Sequence, residues 1–292
     1  MILLRKLTSE EMLRAQRMPA KLLIFSGREP VRTLAVLENT RRIGRASFYS
    51  DERNNVLIVT EFAEDIDADL LHHAFAVAVN DAIRSLHPSM LYSYSDDSRM
   101  KSVFPQNLFY PKGTIYKRSV EPWRYQIPDS CFDREGFLIN QGQMKGLPFG
   151  WFSTRDKGCG WIAAYNILKL NKLEQTMEET ARGLSRLDPS GELFGENYFK
   201  LFFYLRRKGL PVKAVIGRRA VRKAMARSRN GILLYSQKRG SHYCSYRIRH
   251  DGSIYVFNAV YGKKSHRITI DEFLSTYAKG LKVMLLYVER SL

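Results

Sequence analysis

The clearest pattern in the chain is helical and covers residues 67–86, where apolar residues recur every three or four positions. Pro88 follows it and ends the predicted helix. The surrounding segments alternate between apolar and polar residues, which is typical of strands. For the first 125 residues the pattern predicts helices at 8–17 and 67–86, and strands at 21–26, 32–38, 43–49, 55–62, 90–94 and 113–119.

The second half of the chain has a different order of elements. Residues 160–171 are apolar on nearly every side, which indicates a buried helix. Beyond residue 137 the pattern predicts helices at 160–171, 174–187, 196–208, 218–228 and 271–278, and strands at 211–216, 231–236, 242–249, 253–260 and 282–289. Helices first and antiparallel strands afterwards indicate an α+β fold.

The two halves are separated by a segment without a steady period. Residues 121–136 contain two prolines and read as a connection. We therefore predict a domain at 1–125, a linker at 126–136 and a second domain at 137–292. A chain of 292 residues is long enough for two domains of ordinary size.

Charge is distributed unevenly between the halves. The net charge is +18, and 14 cations without one acid lie between Arg206 and Arg249. Such a field attracts nucleic acid, anionic membranes or acidic peptides, so we expect a peptide or protein substrate of acidic character, with nucleic acid as a further partner. A solvated basic surface without a partner explains the same charge.

Other bulk features narrow the class of protein. No apolar run approaches the roughly 18 residues of a membrane helix, and the first seven residues lack the apolar core of a signal peptide, so we expect a cytoplasmic protein. The three cysteines form no CxxC pair, which argues against a disulfide framework and against a cysteine zinc site. We expect neither a metal nor a cofactor.

Cys159 is the candidate nucleophile. It stands at the predicted start of the buried helix, where free N–H groups and the helix dipole stabilise a thiolate. Gly158 and Gly160 flank it, and glycines leave the sulfur uncovered for a substrate. A structural cysteine is the competing interpretation, but glycine on both sides is poor core packing.

A cysteine nucleophile needs a base and a group that orients the base. His242 opens a predicted strand, and Asn258 lies inside the next apolar strand, where a buried amide needs a hydrogen-bond partner. The two residues share a face only if a three-residue loop around Asp251, with Gly252 left-handed, pairs position 242 with 260. The hypothesis of a Cys159–His242–Asn258 triad therefore predicts that loop.

The order Gly-Cys-Gly, His242 and Asn258 resembles papain-like cysteine peptidases, most of all the C39-like (bacteriocin-processing) branch. The resemblance covers about 137–292 and implies a central helix with Cys159, packed on an antiparallel sheet that carries the other two residues. Such enzymes usually have an oxyanion-hole glutamine five or six residues before the cysteine, which this chain lacks. The remaining candidates for the oxyanion hole are Gln141, Gln143, Ser153 and the Cys159 backbone N–H.

The element order of 1–120 weakly resembles a GNAT-type acyltransferase fold. That family binds coenzyme A pyrophosphate on a Gly-rich turn before its central helix. Residues 63–69 hold no glycine and four acids, which would repel phosphate, so we expect no acetyl-CoA binding.

Three functions agree with these observations. The first is a papain-like cysteine peptidase or amidase that forms a thioester acyl-enzyme. The second is a thioester-based acyltransferase, similar to a transglutaminase, which uses the same triad. The third is a catalytically silent basic module that binds nucleic acid or a protein partner.

Overall fold

The computed structural model describes residues 2–6, 29–112, 115–149, 151–173, 175–185, 197–237, 240–258, 266–278 and 283–290. The chain divides into two compact units, one of residues 1–122 with 134–136 and one of residues 123–133 with 137–292. The predicted helix at 8–17 and the predicted strand at 21–26 lie outside the described residues.

The first unit is built on one mixed sheet. Its strands are β1 (Ile2–Lys6), β2 (Arg32–Glu38), β3 (Arg41–Ser50), β4 (Val56–Phe62), β5 (Met90–Tyr94), β6 (Tyr110–Lys112) and β7 (Ile115–Ser119). Its helices are α1 (Ala68–Leu86) and α2 (Met100–Gln106). The sheet order is β1-β2-β3-β4-β5-β7-β6, and β4 pairs with β5 in parallel while the other pairs are antiparallel.

Helix α1 connects the two parallel strands, and its bounds follow from its end residues. Asp67 caps the helix by accepting a hydrogen bond from the Leu70 N–H at 2.7 Å. His87 ends it in the left-handed conformation, with φ of 49°. The apolar face of the helix packs in the core of the unit, together with Phe104 and Phe109.

The second unit is built on an antiparallel sheet with helices on both faces. Its strands are β8 (Pro148–Phe149), β9 (Phe152–Ser153), β10 (Lys213–Ile216), β11 (Ser228–Gln237), β12 (Gly240–Ile248), β13 (Ile254–Phe257), β14 (His266–Ile268) and β15 (Val283–Glu289). Its helices are α3 (Trp123–Gln126), α4 (Thr154–Lys157), α5 (Cys159–Leu170), α6 (Met177–Ser185), α7 (Tyr198–Arg207), α8 (Arg218–Arg227) and α9 (Ile270–Thr276). The main sheet has the order β10-β15-β11-β12-β13-β14, and β8 and β9 form a separate pair.

Alternation along the strands gives the main sheet two apolar faces. In β12, Tyr243 joins the core that contains α5, α6 and α7, whereas Cys244 and Tyr246 join the core that contains α8 and α9. Because successive strand side chains point to opposite faces, one strand contributes to both cores. Helix α5 lies in the first of these cores, and Trp161 and Ile162 near its start are fully buried.

The structure confirms the α+β class with antiparallel sheets. The strand predicted at 113–119 is observed as β7, and the short strand β6 before it was not predicted. The sequence pattern did not predict helix α2, because Pro105 lies inside it and proline is unfavourable in a helix interior. The segment predicted as a linker at 126–136 is not a bare connection, since Ile127, Cys131 and Phe132 are buried in the core of the second unit.

Candidate active site

Cys159 is the first residue of α5, and the turn before it is packed tightly. Gly158 donates its N–H to the Thr154 carbonyl at 2.8 Å. A Cβ at position 158 would lie 2.5 Å from that oxygen and 2.8 Å from the Trp161 ring nitrogen. Trp161 Nε1 in turn donates to Thr154 Oγ1 at 3.3 Å. Position 158 therefore requires a glycine, because the neighbouring backbone leaves no room for a Cβ. The same close packing determines where the helix begins.

Two features of the Cys159 site act on the pKa of its thiol in opposite directions. Burial raises the pKa of the Cys159 thiol, because a thiolate loses solvation there. The backbone N–H groups of Tyr243, Gly160 and Cys159 itself lower that pKa, but by less than burial raises it. The resting side chain is therefore a neutral thiol with hydrogen-bond donors placed around it, and one of these donors belongs to β12.

The hairpin of β12 and β13 has the predicted register. Ser245 pairs with Phe257 and Ile248 with Ile254, which is the register that the three-residue loop requires. The loop contains three residues, and Gly252 is left-handed, with φ of 77°. The structure thus confirms the three-residue loop, and it brings His242 and Asn258 together.

The contact between these two residues runs through the main chain. His242 Nε2 lies 2.5 Å from the Asn258 carbonyl oxygen. A carbonyl only accepts, so Nε2 carries the proton and Nδ1 keeps its lone pair. Burial lowers the pKa of His242, which also favours the neutral ring. Among the described residues no hydrogen bond joins the His242 ring to the Cys159 sulfur.

The Asn258 side chain faces Gln141 instead of His242. Asn258 Oδ1 accepts from the Gln141 backbone N–H, and Asn258 Nδ2 donates to Gln141 Oε1, both at 3.1 Å. Gln141 Nε2 donates to the carbonyls of Thr154 and Arg155 at 3.0 and 2.9 Å. Asn258 therefore finds the partner that a buried amide requires, but the partner is a residue 117 positions away in sequence.

The side chains predicted for the oxyanion hole have other partners. Both N–H donors of the Gln141 side-chain amide go to main-chain carbonyls, so neither remains for an oxyanion. Gln143 Oε1 accepts from Ser130 and from the Cys131 thiol. Ser153 Oγ donates to Asp156 at 2.7 Å. The Cys159 backbone N–H remains as the candidate donor at the start of α5.

The other two cysteines differ from Cys159 in exposure. Cys131 and Cys244 are buried, whereas Cys159 is partly accessible. Burial raises the pKa of Cys131 to about 11 and raises that of Cys244 further. Both thiols are therefore poor nucleophiles at neutral pH.

The turn that opens α1 in the first unit is occupied by the chain's own groups. Arg99 donates to the carbonyls of Ala63, Glu64 and Ile66 at 3.1, 2.9 and 3.3 Å. The Leu70 N–H, which would face an anion at the helix start, is taken by Asp67. One backbone donor at this helix start is therefore already bound by an acid of the chain itself, which disfavours a pyrophosphate there.

Part of the basic region at 206–249 supports the fold. Arg218 donates to the carbonyls of Leu274 and Ala278 at 2.8 and 3.1 Å, which joins α8 to the end of α9. Arg222 forms an ion pair with Asp271 at 2.7 Å. The charge excess of this region is thus only partly available to a partner.

Comparisons with known proteins give structural neighbours only. No protein-family model and no curated protein matches the sequence. Similar solved structures include the peptidase domain of Streptococcus ComA, a bifunctional ABC transporter involved in quorum sensing (TM-score 0.33, 14% identity, 46% of this chain and 93% of that chain). A double glycine motif protease from an AMS/PCAT transporter, in complex with a leader peptide, has TM-score 0.32 and 15% identity over 46% of this chain and 84% of that chain.

Another similar structure is the Campylobacter jejuni N-acetyltransferase PseH (TM-score 0.29, 16% identity, 41% of this chain and 98% of that chain). The structural neighbours thus include peptidase domains and N-acetyltransferases, the two kinds of protein named in the resemblances above. Among the helices that the structure describes, none is long and apolar enough to cross a membrane.

Proposed function

We propose that the second unit is a cysteine hydrolase that cleaves an amide or peptide bond through a thioester on Cys159. The observation that carries this proposal is the position of the sulfur at the start of α5, among backbone N–H groups that include that of Tyr243. His242 directly precedes Tyr243 in β12. The Asn258 carbonyl holds the His242 proton on Nε2, which leaves Nδ1 as a base.

The proposed reaction begins from the neutral pair. As Cys159 Sγ attacks the substrate carbonyl carbon, His242 Nδ1 takes the thiol proton, and the Cys159 backbone N–H donates to the oxyanion. The imidazolium then gives its proton to the leaving amine, and a thioester remains. Water deprotonated by His242 releases the acid. Catalytic hydrogen bonds are often long in the free enzyme and tighten when substrate binds.

The test uses p-nitrophenyl acetate, an activated acyl donor that requires no knowledge of the natural substrate. We expect a burst of p-nitrophenolate and an acetyl group that maps to Cys159 by mass spectrometry. Cys131 and Cys244 are the internal controls, because both are buried. Acetylation of all three cysteines at similar rates, or of none, would contradict the proposal.

The fate of the acyl-enzyme, whether its acyl group goes to water or to an amine, distinguishes a hydrolase from an acyltransferase. Adding a small primary amine during turnover offers the thioester a second acceptor beside water. A hydrolase releases acetate with little amide, whereas an acyltransferase gives mainly the acetylated amine. We propose hydrolysis of peptides of acidic character, because the basic region at 206–249 contains no acid to repel them.

The acylation rate has a predictable dependence on pH. Burial places the pKa of His242 below its ordinary 6.5, so the ring is a neutral base at pH 6.5 and above. The pKa of Cys159 lies above its ordinary 9.0, so the thiol remains the resting form at neutral pH. We expect a rate that is level from about pH 6.5 to 8.5 and falls on the acid side.

Stopped-flow bursts across pH 4.5–8.5 measure this dependence. A rate that instead rises in proportion to a thiolate, with no acid limb below pH 6.5, would mean that His242 is not the base. The same lowered pKa makes folding of the unit weaken as the pH falls below 6.5, because the unfolded histidine binds the proton more tightly.

The first unit is not proposed as a second enzyme. Its α1 turn contains four acids, and Asp67 already binds the Leu70 N–H, so we infer that it lacks the phosphate-binding function of GNAT-type folds. If Cys159 forms no acyl-enzyme, the competing function is binding of nucleic acid by the basic region, and a steep loss of affinity with salt would support it.

A further inference from the structure

Gln141 joins the two parts of the candidate site. Its side chain donates to the carbonyls of Thr154 and Arg155, in the turn that leads to Cys159. Its backbone N–H and its Oε1 bind the side chain of Asn258, the residue whose carbonyl holds His242. Gln141 and Asn258 are only 5% and 3% exposed, so water cannot replace these bonds easily.

The hydrogen-bond partners determine how both amides are oriented. The Thr154 and Arg155 carbonyls can only accept, so the atom of Gln141 that faces them is the nitrogen. Gln141 Oε1 must then accept, and it does so from Asn258 Nδ2. This places Asn258 Oδ1 against the Gln141 N–H, at 3.1 Å. In this arrangement the Asn258 side chain has no oxygen left to turn toward His242.

The fixed side chain also fixes the backbone of Asn258. This residue is left-handed, with φ of 55°, a conformation that asparagine tolerates better than most residues. Its carbonyl is thereby directed at His242 Nε2, at 2.5 Å. Rotation of Asn258 away from Gln141 would move that carbonyl, and the ring could then place its proton on either nitrogen.

We propose that Gln141 is a positioning residue of this site: it holds Asn258 so that the Asn258 carbonyl keeps the His242 proton on Nε2 and leaves Nδ1 free as the base. This role rests on the proposed cysteine hydrolase function. It differs from that of an oxyanion donor, because Gln141 acts through another residue and both of its side-chain N–H groups are already donated.

The test compares Gln141→Ala and Gln141→Glu with the wild-type chain. The glutamate is nearly the same shape, but as a carboxylate it cannot donate to the Thr154 and Arg155 carbonyls. We expect each variant to lower the rate of Cys159 acetylation by p-nitrophenyl acetate by about 10- to 100-fold at pH 7, the loss typical when an outer hydrogen-bond partner of a metal-bound histidine is removed. Gln141→Glu carries the test if Gln141→Ala does not fold.

A second readout does not depend on activity. Nitrogen and carbon NMR shifts of the histidine ring report which nitrogen carries the proton. Wild-type protein should hold the His242 proton on Nε2, and the Gln141 variants should show a mixture of both tautomers. A structural role alone would lower stability without changing this ratio.

Asn166→Ala is the matched control. Asn166 is a fully buried amide whose hydrogen bonds go to the Leu138 N–H and carbonyl, at 2.9 and 2.8 Å, and to neither Asn258 nor Gln141. It should lose stability but keep the His242 tautomer. If this control loses as much acetylation as the Gln141 variants, the effect comes from general loosening and the proposal is overturned.

The outcomes separate the two proposals. If wild-type protein shows no His242-dependent acetylation, the hydrolase function fails, whereas the tautomer measurement still tests Gln141. If wild-type protein reacts and the Gln141 variants keep both the rate and the tautomer, only the positioning role fails.

Discussion

Replacement of His242 by alanine is expected to slow the acetylation of Cys159 by about 10²- to 10⁴-fold, the usual contribution of a general base. The physical reason is that burial keeps the Cys159 thiol protonated at neutral pH, so attack requires a neighbouring base. His242 is neutral there and its Nε2 is already bound to a carbonyl, which leaves only Nδ1 to accept a proton. The burst rate with p-nitrophenyl acetate at pH 7 measures the loss.

His250→Ala is the control for this variant. His250 lies in the exposed loop between β12 and β13. Its replacement removes a histidine from the same hairpin but leaves the contacts of His242 and Asn258 unchanged. Added imidazole should restore part of the rate in His242→Ala and should have no effect on His250→Ala. Equal burst rates in wild-type protein and His242→Ala would show that His242 is not the base.

The pairing of the two strands could be predicted because two independent rules restrict it. Side chains alternate along a strand, and Gly252 permits a left-handed turn, so only one loop length places His242 and Asn258 on the same face. Sequence could not tell which oxygen of Asn258 reaches His242. That depends on a left-handed backbone at the end of β13 and on a partner 117 residues away.

Long-range hydrogen bonds explain most of what the sequence did not reveal. Gln141 was one of the candidates for the oxyanion hole because it is a glutamine upstream of the cysteine. Its buried contacts with Asn258 and Thr154 depend on tertiary packing, which no local pattern reports. One signal was present: Asn258 lies at the end of an apolar strand, and a buried amide requires a partner.

Local patterns were reliable where packing agreed with them. The buried helix was predicted at 160–171 and is observed as Cys159–Leu170, because its apolar residues fill a core on every side. The segment 121–136 shows where the pattern is less informative, since Pro122 and Pro128 indicate a loop. Ile127 and Cys131 lie within this segment and are nonetheless buried in the second unit.

Gly158→Ala is expected to destabilise the second unit by about 1–3 kcal/mol, the usual cost of overpacking. The added methyl group would lie 2.5 Å from the Thr154 carbonyl oxygen and 2.6 Å from Thr154 Cγ2, closer than real contacts allow. The oxygen belongs to the backbone and accepts bonds from Gly158 and Gln141, so it cannot move without disturbing the turn before Cys159. Thermal or urea unfolding measures the loss.

Gly146→Ala separates this clash from the general effect of adding a methyl group to a glycine. A Cβ at Gly146 meets no atom within 4 Å, so its effect should lie between zero and a gain of about 1 kcal/mol from lower entropy of the unfolded chain. Because the start of α5 positions the sulfur, Gly158→Ala should also slow acetylation of Cys159, whereas Gly146→Ala should not. If both variants are equally stable and equally reactive, the turn is more pliable than its contacts indicate, and Gly158 serves only to leave the sulfur uncovered.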